Sequence, residues 1–152
     1  MSIDQPIVLL LHGPNLNLLG QRDPKMYGTT TLGELVDATT AAAEAAGMVL
    51  EHLQSNAEAE LVEAIHAARG RCAAIIINAG SLTHYAWSLH DALESFPGIK
   101  IELHLSNPNA REPWRHTSVV APVVTGSIVG LKGTGYLLAV EAVRRLLEGR
   151  PA

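Results

Sequence analysis

The sequence contains little cysteine and little charge, and each shortage excludes a class of protein. One cysteine, Cys72, is present among 152 residues, so the chain forms no internal disulfide and offers no cysteine pair to a metal ion. Such usage predicts a reducing, cytoplasmic compartment. Charged residues make up 17% of the chain, against about 25% in an average globular protein. We interpret the missing charge as a sign that other subunits cover part of the surface.

Basic patches, long apolar runs and a secretory leader are also missing. The net charge is -4 at pH 7, which argues against a nucleic-acid partner. No run reaches the roughly 18 apolar residues of a membrane span, and the start, MSIDQPIVLLLHG, has no basic segment or cleavage site. Hydrophobic residues are 47% of the chain, enough for a full core, and the length predicts one compact domain over residues 1–152.

Segments typical of strands alternate with segments typical of helices along the chain. Strands are predicted over 7–12, 48–53, 73–78, 99–104 and within 119–129, and helices over 32–46, 58–69, 84–95 and 134–148. Thr31 followed by Glu34 predicts a capping box at the start of the first helix, and Gly47 and Gly70 predict two helix ends. The alternation predicts an α/β fold with a doubly wound, five-stranded parallel sheet and helices on both faces.

Polar residues collect where the predicted strands end. In such a sheet, ligands bind outside the carboxyl ends of the strands. The residues in question are Asn15, Arg22 and Tyr27 after the first strand, Asn78, Ser81 and His84 after the third, and Glu102, His104, Ser106, Arg111 and Arg115 in or after the fourth. The sequence therefore predicts one site at this edge of the sheet.

Several catalytic classes are disfavoured at this edge. The GTGYLL segment at 133–138 lacks the third glycine of the dinucleotide fingerprint, and no GxxxxGK[ST] phosphate loop is present. The seven histidines include no HExxH pair, so no metal ion is expected. None of Lys25, Lys100 and Lys132 lies in a buried run that ends at this edge, which disfavours a Schiff base. Ser81 has no GxSxG elbow.

Proton chemistry on a bound anion fits the residues that remain. Tyr27 is a base only as a phenolate, and a positive neighbour favours that form. Arg22, five residues earlier on the same loop, can be that neighbour. His104 can act as an acid, with Glu102 two residues earlier on the same strand face. The alternative for Arg22 and Tyr27 is an exposed loop on which the pair is incidental.

Groups that bind oxygen complete the predicted site. Asn15, Asn78 and Ser106 can hold hydroxyl and carbonyl oxygens, and Arg111 and Arg115 can meet a carboxylate. A base, an acid, amide donors and arginines together suit an elimination next to a carbonyl group.

A series of sequence blocks resembles, in chain order, the type II 3-dehydroquinate dehydratases. The blocks are GPNLNLLGQRDPKMYG, TLGEL, LQSNAEAELVEAIHAA, IIINAGSLTH, IELHLSNPNAREPWRHTS and GSIVGLKGTGYLLA. The resemblance covers nearly the whole chain, roughly residues 7 to 140. The resemblance implies a flavodoxin-like fold with strand order 2-1-3-4-5. It also implies cofactor-free dehydration of 3-dehydroquinate to 3-dehydroshikimate, the third step of the shikimate route to chorismate and aromatic amino acids.

The resemblance implies roles for individual residues. Tyr27 matches the proton acceptor at the carbon beside the ketone, and Arg22 matches the lid arginine that favours the charged tyrosine and stabilises the transition state. Asn15 matches the asparagine that holds a water near the developing enolate. His104 matches the general acid that protonates the departing hydroxyl, and Glu102 matches its orienting carboxylate.

Further positions match the substrate-binding and subunit contacts of that family. The substrate-binding matches are Asn78, His84, the backbone of Leu105 and Ser106, and Arg115. Arg111 matches an arginine of the family motif. Asp91 matches an aspartate that reaches in from a neighbouring subunit, and the resemblance implies trimers, four of which form a dodecamer.

The sequence departs from the family pattern at a few positions. His12 stands where asparagine is expected before Gly-Pro-Asn, and His90 stands where arginine is expected before Asp91. QSNAEAE replaces the more usual QSNHEGE, and Trp87 is bulkier than the usual residue. None of these residues has a predicted chemical role. His12 lies beside the predicted site, and its role is left open.

Two alternatives stay open at the level of sequence. The same reaction serves quinate breakdown as well as biosynthesis, and the residues do not separate the two. A non-catalytic flavodoxin-like module would bind a small anion or a flavin without turnover, although the scarcity of aromatic residues on the edge loops disfavours a flavin.

Overall fold

The computed structural model describes residues 4–149 and contains the predicted sheet. Five parallel strands lie in the order β2-β1-β3-β4-β5. Their bounds are Ile7–His12 (β1), Val49–Gln54 (β2), Ala74–Asn78 (β3), Ile99–His104 (β4) and Gly126–Val129 (β5). The predicted doubly wound sheet and its strand order are therefore confirmed. The central strand, β3, is buried along its whole length, as a strand covered on both faces must be.

Helices flank the sheet at nearly the predicted positions. Their bounds are Pro24–Tyr27 (α1), Leu32–Ala45 (α2), Glu58–Ala68 (α3), Trp87–Ser95 (α4) and Thr134–Glu148 (α5). The single turn of α1 was not predicted, because four residues carry no helical periodicity. Within the described residues, no helix combines the length and the apolar character that a membrane span requires.

One helix begins later than the sequence predicts. The prediction placed the start at residue 84, but α4 begins at Trp87 and a 3-10 helix occupies Gly80–His84. The reason is that this turn is tied to another loop: the N–H of Val119 donates to the carbonyl of Thr83 over 2.7 Å. This tertiary hydrogen bond fixes the turn as a separate element before α4.

Local signals fix the ends of the other helices as predicted. The Thr31 hydroxyl accepts from the N–H of Glu34, and the Glu34 carboxylate accepts from the N–H of Thr31, which completes the capping box at α2. Gly47 and Gly70 follow α2 and α3 with φ of 79° and 73°, the left-handed conformation that ends a helix. These two predictions are confirmed.

The core consists of two layers, one on each face of the sheet. Residues alternate between the layers along β1: Val8 and Leu10 pack beneath α2 and α5, and Leu9 and Leu11 pack beneath α3 and α4. The alternation follows from the two-residue period of a strand. It continues into the polar residues at the strand ends, so polar groups lie on both faces below the carboxyl edge.

A close approach of two loops shapes that edge. The N–H of Gly13, just past β1, donates to the carbonyl of Asn78 at the end of β3 over 2.8 Å. A Cβ atom at residue 13 would lie 2.3 Å from the carbonyl oxygen of Ala79, so only glycine allows the contact. The loop that carries Asn15 is thereby held against the end of β3.

Candidate active site

A pocket of about 160 Å³ opens at the carboxyl edge of the sheet. Most of the residues predicted for the site line it. They are Asn15, Arg22, Tyr27, Asn78, His84, His104, Leu105, Ser106, Arg111 and Arg115. The further lining residues were given no role from the sequence: Pro14, Leu16, Gly80, Ser81, Pro108 and Trp114. Ser81 lies shortly after β3 and Trp114 lies in the loop after β4, and both fall within the resembling blocks. These positions could have indicated them from the sequence.

Two predicted residues do not line the pocket. Glu102 is 2% exposed and lies behind His104. Asp91 lies on α4 with its side chain 79% exposed, 3.0 Å from Nδ1 of His90. Ligand atoms of His90, Asp91 and Glu94 lie within 4.8 Å of one another, but exposed acidic groups gather commonly without an ion, and this surface cluster is separate from the pocket.

Arg22 holds the Tyr27 hydroxyl directly. The Nη2 of Arg22 donates to Oη of Tyr27 over 2.8 Å, and the guanidinium carbon lies 3.7 Å from the ring centroid. The geometry depends on α1: Asp23 caps this turn by accepting from the N–H of Lys25, and Pro24 occupies its first position. One helical turn then carries Tyr27 back over Arg22.

A second guanidinium group lies near the same tyrosine ring. The guanidinium carbon of Arg111 is 5.3 Å from the Tyr27 ring centroid, and its Nη1 donates to the hydroxyl of Ser106 over 3.2 Å. Its Nε is buried and has no hydrogen-bond partner within residues 4–149. A buried donor without a partner is uncommon in native proteins. This one lies beside a pocket in which a bound ligand can supply the acceptor.

The charge of the pocket favours an anionic ligand. Arg22, Arg111 and Arg115 contribute guanidinium groups to the lining, and no carboxylate of the described chain segment lines it. Arg115 forms an ion pair with the exposed carboxylate of Glu112 outside the lining. Guanidinium groups bind carboxylates with matched, two-pronged geometry, so a small carboxylic acid suits this pocket.

His104 and Glu102 form a buried pair at the end of β4. Nε2 of His104 donates to Oε2 of Glu102 over 2.8 Å, so Nδ1 is the ring nitrogen left for a ligand. The same Oε2 accepts from the hydroxyls of Thr83 over 2.5 Å and Ser118 over 2.8 Å. The other oxygen lies 3.2 Å from the hydroxyl of Ser127. Such a carboxylate can fix the ring and stabilise its protonated form.

Replacement of Glu102 by glutamine is expected to flatten the loss of stability in acid. Burial acts to raise the pKa of Glu102, but hydrogen bonds from His104, Thr83 and Ser118 outweigh burial and hold the pKa below its ordinary value of 4.5. A carboxyl group of this kind contributes stability that is complete above the unfolded pKa and is lost as the pH falls through the folded pKa. The free energy of unfolding, measured with urea, should therefore decrease more steeply for the parent protein than for Glu102→Gln as the pH falls below 4.5.

Glutamine has nearly the shape of glutamate but carries no charge, so it keeps the geometry of the site. Its carbonyl oxygen can accept the three bonds made to Oε2, and its amide can donate to the Ser127 hydroxyl. An exposed control, Glu63→Gln on α3, is expected to follow the parent curve. Parallel curves for the parent and Glu102→Gln would contradict the assigned ionisation.

His84 and Asn78 present neutral polar groups to the pocket. Nδ1 of His84 donates to the carbonyl of Thr117 over 2.7 Å. Burial lowers the pKa of His84, which favours the neutral ring, so its Nε2 is an acceptor. Oδ1 of Asn78 accepts from the N–H of Gly80 over 3.2 Å, and its Nδ2 donates to Tyr136 over 3.1 Å.

Asn15 is held at the pocket in an unusual backbone conformation. Its φ is 69°, in the left-handed region that asparagine tolerates better than most residues. Its N–H donates to Oδ1 of Asn56 over 3.0 Å. The backbone is thus anchored, and the side-chain amide is available to a ligand.

Comparison with known proteins places this geometry in a family. The model of the family "Dehydroquinase class II" matches residues 6–144. The chain is 46% identical over 148 residues to 3-dehydroquinate dehydratase 2 of Pseudomonas putida, which covers 97% of this chain and 99% of the relative. It is 50% identical over 143 residues to 3-dehydroquinate dehydratase of Vibrio parahaemolyticus, with 94% and 96% covered.

A solved structure agrees with these sequence relatives. The type II dehydroquinase from Propionibacterium acnes superposes with a TM-score of 0.90 at 38% identity, covering 95% of this chain and 99% of that one. Family model, sequence relatives and structure each span nearly the whole chain. The chain belongs to the class II dehydroquinase family.

Proposed function

We propose that this protein dehydrates 3-dehydroquinate to 3-dehydroshikimate through an enolate intermediate, without a cofactor or a metal ion. The observation that carries the proposal is the Tyr27 hydroxyl held 2.8 Å from the Arg22 guanidinium, in the same pocket as the His104–Glu102 pair. A base and an acid in one anion-binding pocket are the two groups that a stepwise elimination requires. The names of the relatives support the same reaction.

The first step is removal of a proton from the carbon beside the ketone. Tyr27, as a phenolate, takes this proton, and the electron pair of the C–H bond moves to the ketone oxygen to give an enolate. Arg22 stabilises the phenolate by charge and by its hydrogen bond. We assign to Asn15 the role of holding a water against the enolate oxygen, as its free amide at the pocket allows.

The second step expels water. His104, protonated on both ring nitrogens, gives the Nδ1 proton to the hydroxyl group on the next carbon. The C–O bond breaks, the enolate electrons form the new C=C bond, and the ketone is restored. Glu102 stabilises the imidazolium before transfer and keeps Nδ1 directed at the pocket through its bond to Nε2. Loss of the phenol proton to solvent and uptake of a proton by His104 reset the site.

The remaining lining residues are proposed to hold the substrate. Arg115 and the backbone of Leu105 and Ser106 are assigned to its carboxylate and neighbouring oxygens. Asn78 and His84 are assigned to its hydroxyl groups as a donor and an acceptor. Arg111, with its unpaired Nε, is proposed to gain an acceptor when substrate binds.

The proposed function is tested by adding 3-dehydroquinate to the purified protein. The product contains a conjugated enone, so turnover is followed as a rise in ultraviolet absorbance, and it should proceed unchanged with a metal chelator present. Binding measured by calorimetry with no absorbance change would instead favour a non-catalytic anion-binding module. Biosynthesis and quinate breakdown use the same reaction, and the genes next to this one distinguish them.

We propose further that the chain acts in the cytoplasm as one catalytic domain of a homo-oligomer, a dodecamer of four trimers. The support is the exposed face of α4, where Trp87 is 63% exposed and Asp91 lies outside the pocket of its own chain. Large exposed aromatic side chains are typical of contact surfaces. In a trimer, Asp91 would enter the site of the next subunit.

A shared site predicts complementation between two defective variants. Tyr27→Phe and Asp91→Ala are each expected to be inactive, because each lacks one part of every site. Mixed oligomers contain sites with an intact Tyr27 from one chain and an intact Asp91 from its neighbour. Partial activity should therefore return when the two variants are unfolded together and refolded.

The controls for this experiment are the same variants refolded separately and a mass measurement of the mixed oligomer. The Asp91→Ala defect must be severe on its own for recovery to be visible. If mixed oligomers form and no activity returns, the site is not shared between subunits. A fully active monomer in sedimentation would lead to the same conclusion.

A further inference from the structure

Four side chains form a continuous hydrogen-bonded chain beneath the pocket. Asn78 Nδ2 lies 3.1 Å from Tyr136 Oη, Tyr136 Oη lies 2.8 Å from His12 Nε2, and His12 Nδ1 lies 2.8 Å from His52 Nε2. The chain runs from the pocket lining through the core on the α5 face to the exposed His52 on the edge strand β2. It touches the pocket only through Asn78, and the proposed mechanism uses none of its other members.

A backbone group sets the direction of every bond in this chain. The N–H of Gly80 can only donate, so the atom of Asn78 that lies 3.2 Å away must be Oδ1. Nδ2 therefore faces Tyr136 and donates to its oxygen. Among residues 4–149 the Tyr136 hydroxyl has no hydrogen-bond partner besides Asn78 and His12, so its own hydrogen finds an acceptor only at His12 Nε2. His12 then carries its proton on Nδ1 and donates to His52.

The opposite direction leaves donors facing each other. If His12 donated to Tyr136, the Tyr136 hydrogen would either have no acceptor or point at Asn78, whose amide would then have to turn over. After such a turn the Asn78 amide nitrogen would face the N–H of Gly80, so each of these arrangements leaves at least one donor without an acceptor. One arrangement alone satisfies all members, which gives the chain a defined polarity.

The polarity also requires that the buried histidine stay neutral. A protonated His12 has no acceptor nitrogen, so it cannot receive the Tyr136 hydrogen. His12 is 0% exposed, and burial together with the neighbouring His52 lowers the pKa of His12 to about 3. Burial also raises the pKa of Tyr136, so its hydroxyl stays protonated near neutral pH and remains a donor.

We propose that Tyr136 and His12 are positioning residues, which fix the Asn78 amide so that its second N–H points into the pocket as a donor for a substrate oxygen. The inference rests on the proposed function, in which Asn78 binds a substrate hydroxyl. It assigns a role to His12, the residue that departs from the family pattern and that sequence reasoning left open. With the Asn78 N–H fixed as a donor, this subsite also favours a substrate oxygen that accepts a hydrogen bond.

The test begins with Tyr136→Phe, which removes one oxygen and keeps the ring in the core. Without the hydroxyl, the Asn78 amide loses the partner that holds Nδ2, so kcat/KM is expected to fall by about tenfold, mainly through a rise in KM. The matched control is Thr39→Val, which removes another fully buried hydroxyl, bonded to the carbonyl of Leu35 in α2. Its KM should equal that of the parent, although it also loses a buried hydrogen bond.

A double-mutant cycle separates positioning from general damage to the core. If Tyr136 acts through Asn78, then Tyr136→Phe should cost little further activity in an Asn78→Ala background. Equal losses of kcat/KM in the parent and in the Asn78→Ala background would overturn the proposal. Equal KM increases in Tyr136→Phe and Thr39→Val would overturn it too.

Two variants of His12 give a rescue comparison. His12→Gln can place its carbonyl oxygen near the position of Nε2 and accept from Tyr136, whereas His12→Met fills similar space without that acceptor. The proposal expects KM near the parent value for His12→Gln and an increase of about tenfold for His12→Met. The reverse order, or equal values with both variants folded by circular dichroism, would overturn it.

Failure of the proposed function remains distinguishable from failure of this inference. If the parent protein binds 3-dehydroquinate without turnover, the proposed reaction is wrong, and the same variants are compared by the Kd of that ligand. An unchanged Kd in Tyr136→Phe then overturns the inference, and a tenfold weaker Kd supports it. If the parent does not bind the ligand, both proposals are wrong.

Discussion

Replacement of Tyr27 by phenylalanine is expected to lower kcat by at least about 10²-fold, the smaller end of the range for loss of a general base. The phenylalanine ring keeps the stacking beneath Arg22, whose guanidinium carbon lies 3.7 Å from the ring centroid. Only the oxygen that is proposed to accept the substrate proton is lost. The fold and substrate binding should therefore persist while turnover stops, which steady-state kinetics and calorimetry with 3-dehydroquinate measure separately.

The chain offers a matched control among its three tyrosines. Tyr85 is 62% exposed and lies outside the pocket lining, so Tyr85→Phe removes the same oxygen without touching the site and should retain parent activity. Near-normal turnover in folded Tyr27→Phe would show that the base is another group. Loss of activity in both variants would show that removal of a tyrosine hydroxyl is harmful in general, and would not support a special role for Tyr27.

Arg22→Ala is expected to cause a loss of similar size, because the phenolate form of Tyr27 loses its nearest positive charge. The guanidinium donates to Oη over 2.8 Å, and Arg111 is farther from the ring, at 5.3 Å. Steady-state kinetics with 3-dehydroquinate measures this loss. Turnover near the parent value in folded Arg22→Ala would contradict the role proposed for its guanidinium group.

Replacement of His104 by alanine is expected to stop loss of water more completely than proton removal. The proposed base, Tyr27, and its partner Arg22 remain in the pocket, so the enolate still forms and returns. In deuterated water, the variant should exchange the substrate proton on the carbon beside the ketone, which NMR follows directly. Dehydration should fall by at least about 10²-fold.

The control for this experiment is His66→Ala, which changes an exposed histidine on α3. It should dehydrate the substrate at the parent rate. Normal dehydration by folded His104→Ala would place the acid elsewhere in the pocket. If His104→Ala neither dehydrates nor exchanges the substrate, His104 also serves the first step, and the division of labour proposed between Tyr27 and His104 is wrong.

The sequence by itself determined the architecture, because the relevant signals are local or periodic. Apolar runs such as Ile75–Ile77 indicated strands, the Thr31–Glu34 pair set the start of α2, and glycines set helix ends. Alternation of strands and helices then leaves few topologies. The polar residues of the site could be predicted for the same reason, since carboxyl ends of parallel strands meet at one edge.

Contacts between distant segments were decided only by the tertiary structure. The hydrogen bond from the N–H of Val119 to the carbonyl of Thr83 delays the start of α4. Thr83 and Ser118, which are 35 positions apart, both donate to Glu102. Neither segment carries a sequence pattern that names its partner. Side-chain hydroxyls become donors to a particular carboxylate only when packing brings them within reach.

His12 shows the same division most clearly. The sequence placed it at the end of β1 and could assign it no role, because its partners, Tyr136 and His52, lie 124 and 40 residues away. Sequence periodicity determines which face of a strand a residue occupies. What that face meets depends on how helices and neighbouring strands pack over it, and only the folded chain brought the donor of Gly80, the amide of Asn78 and the ring of His12 into one directed network.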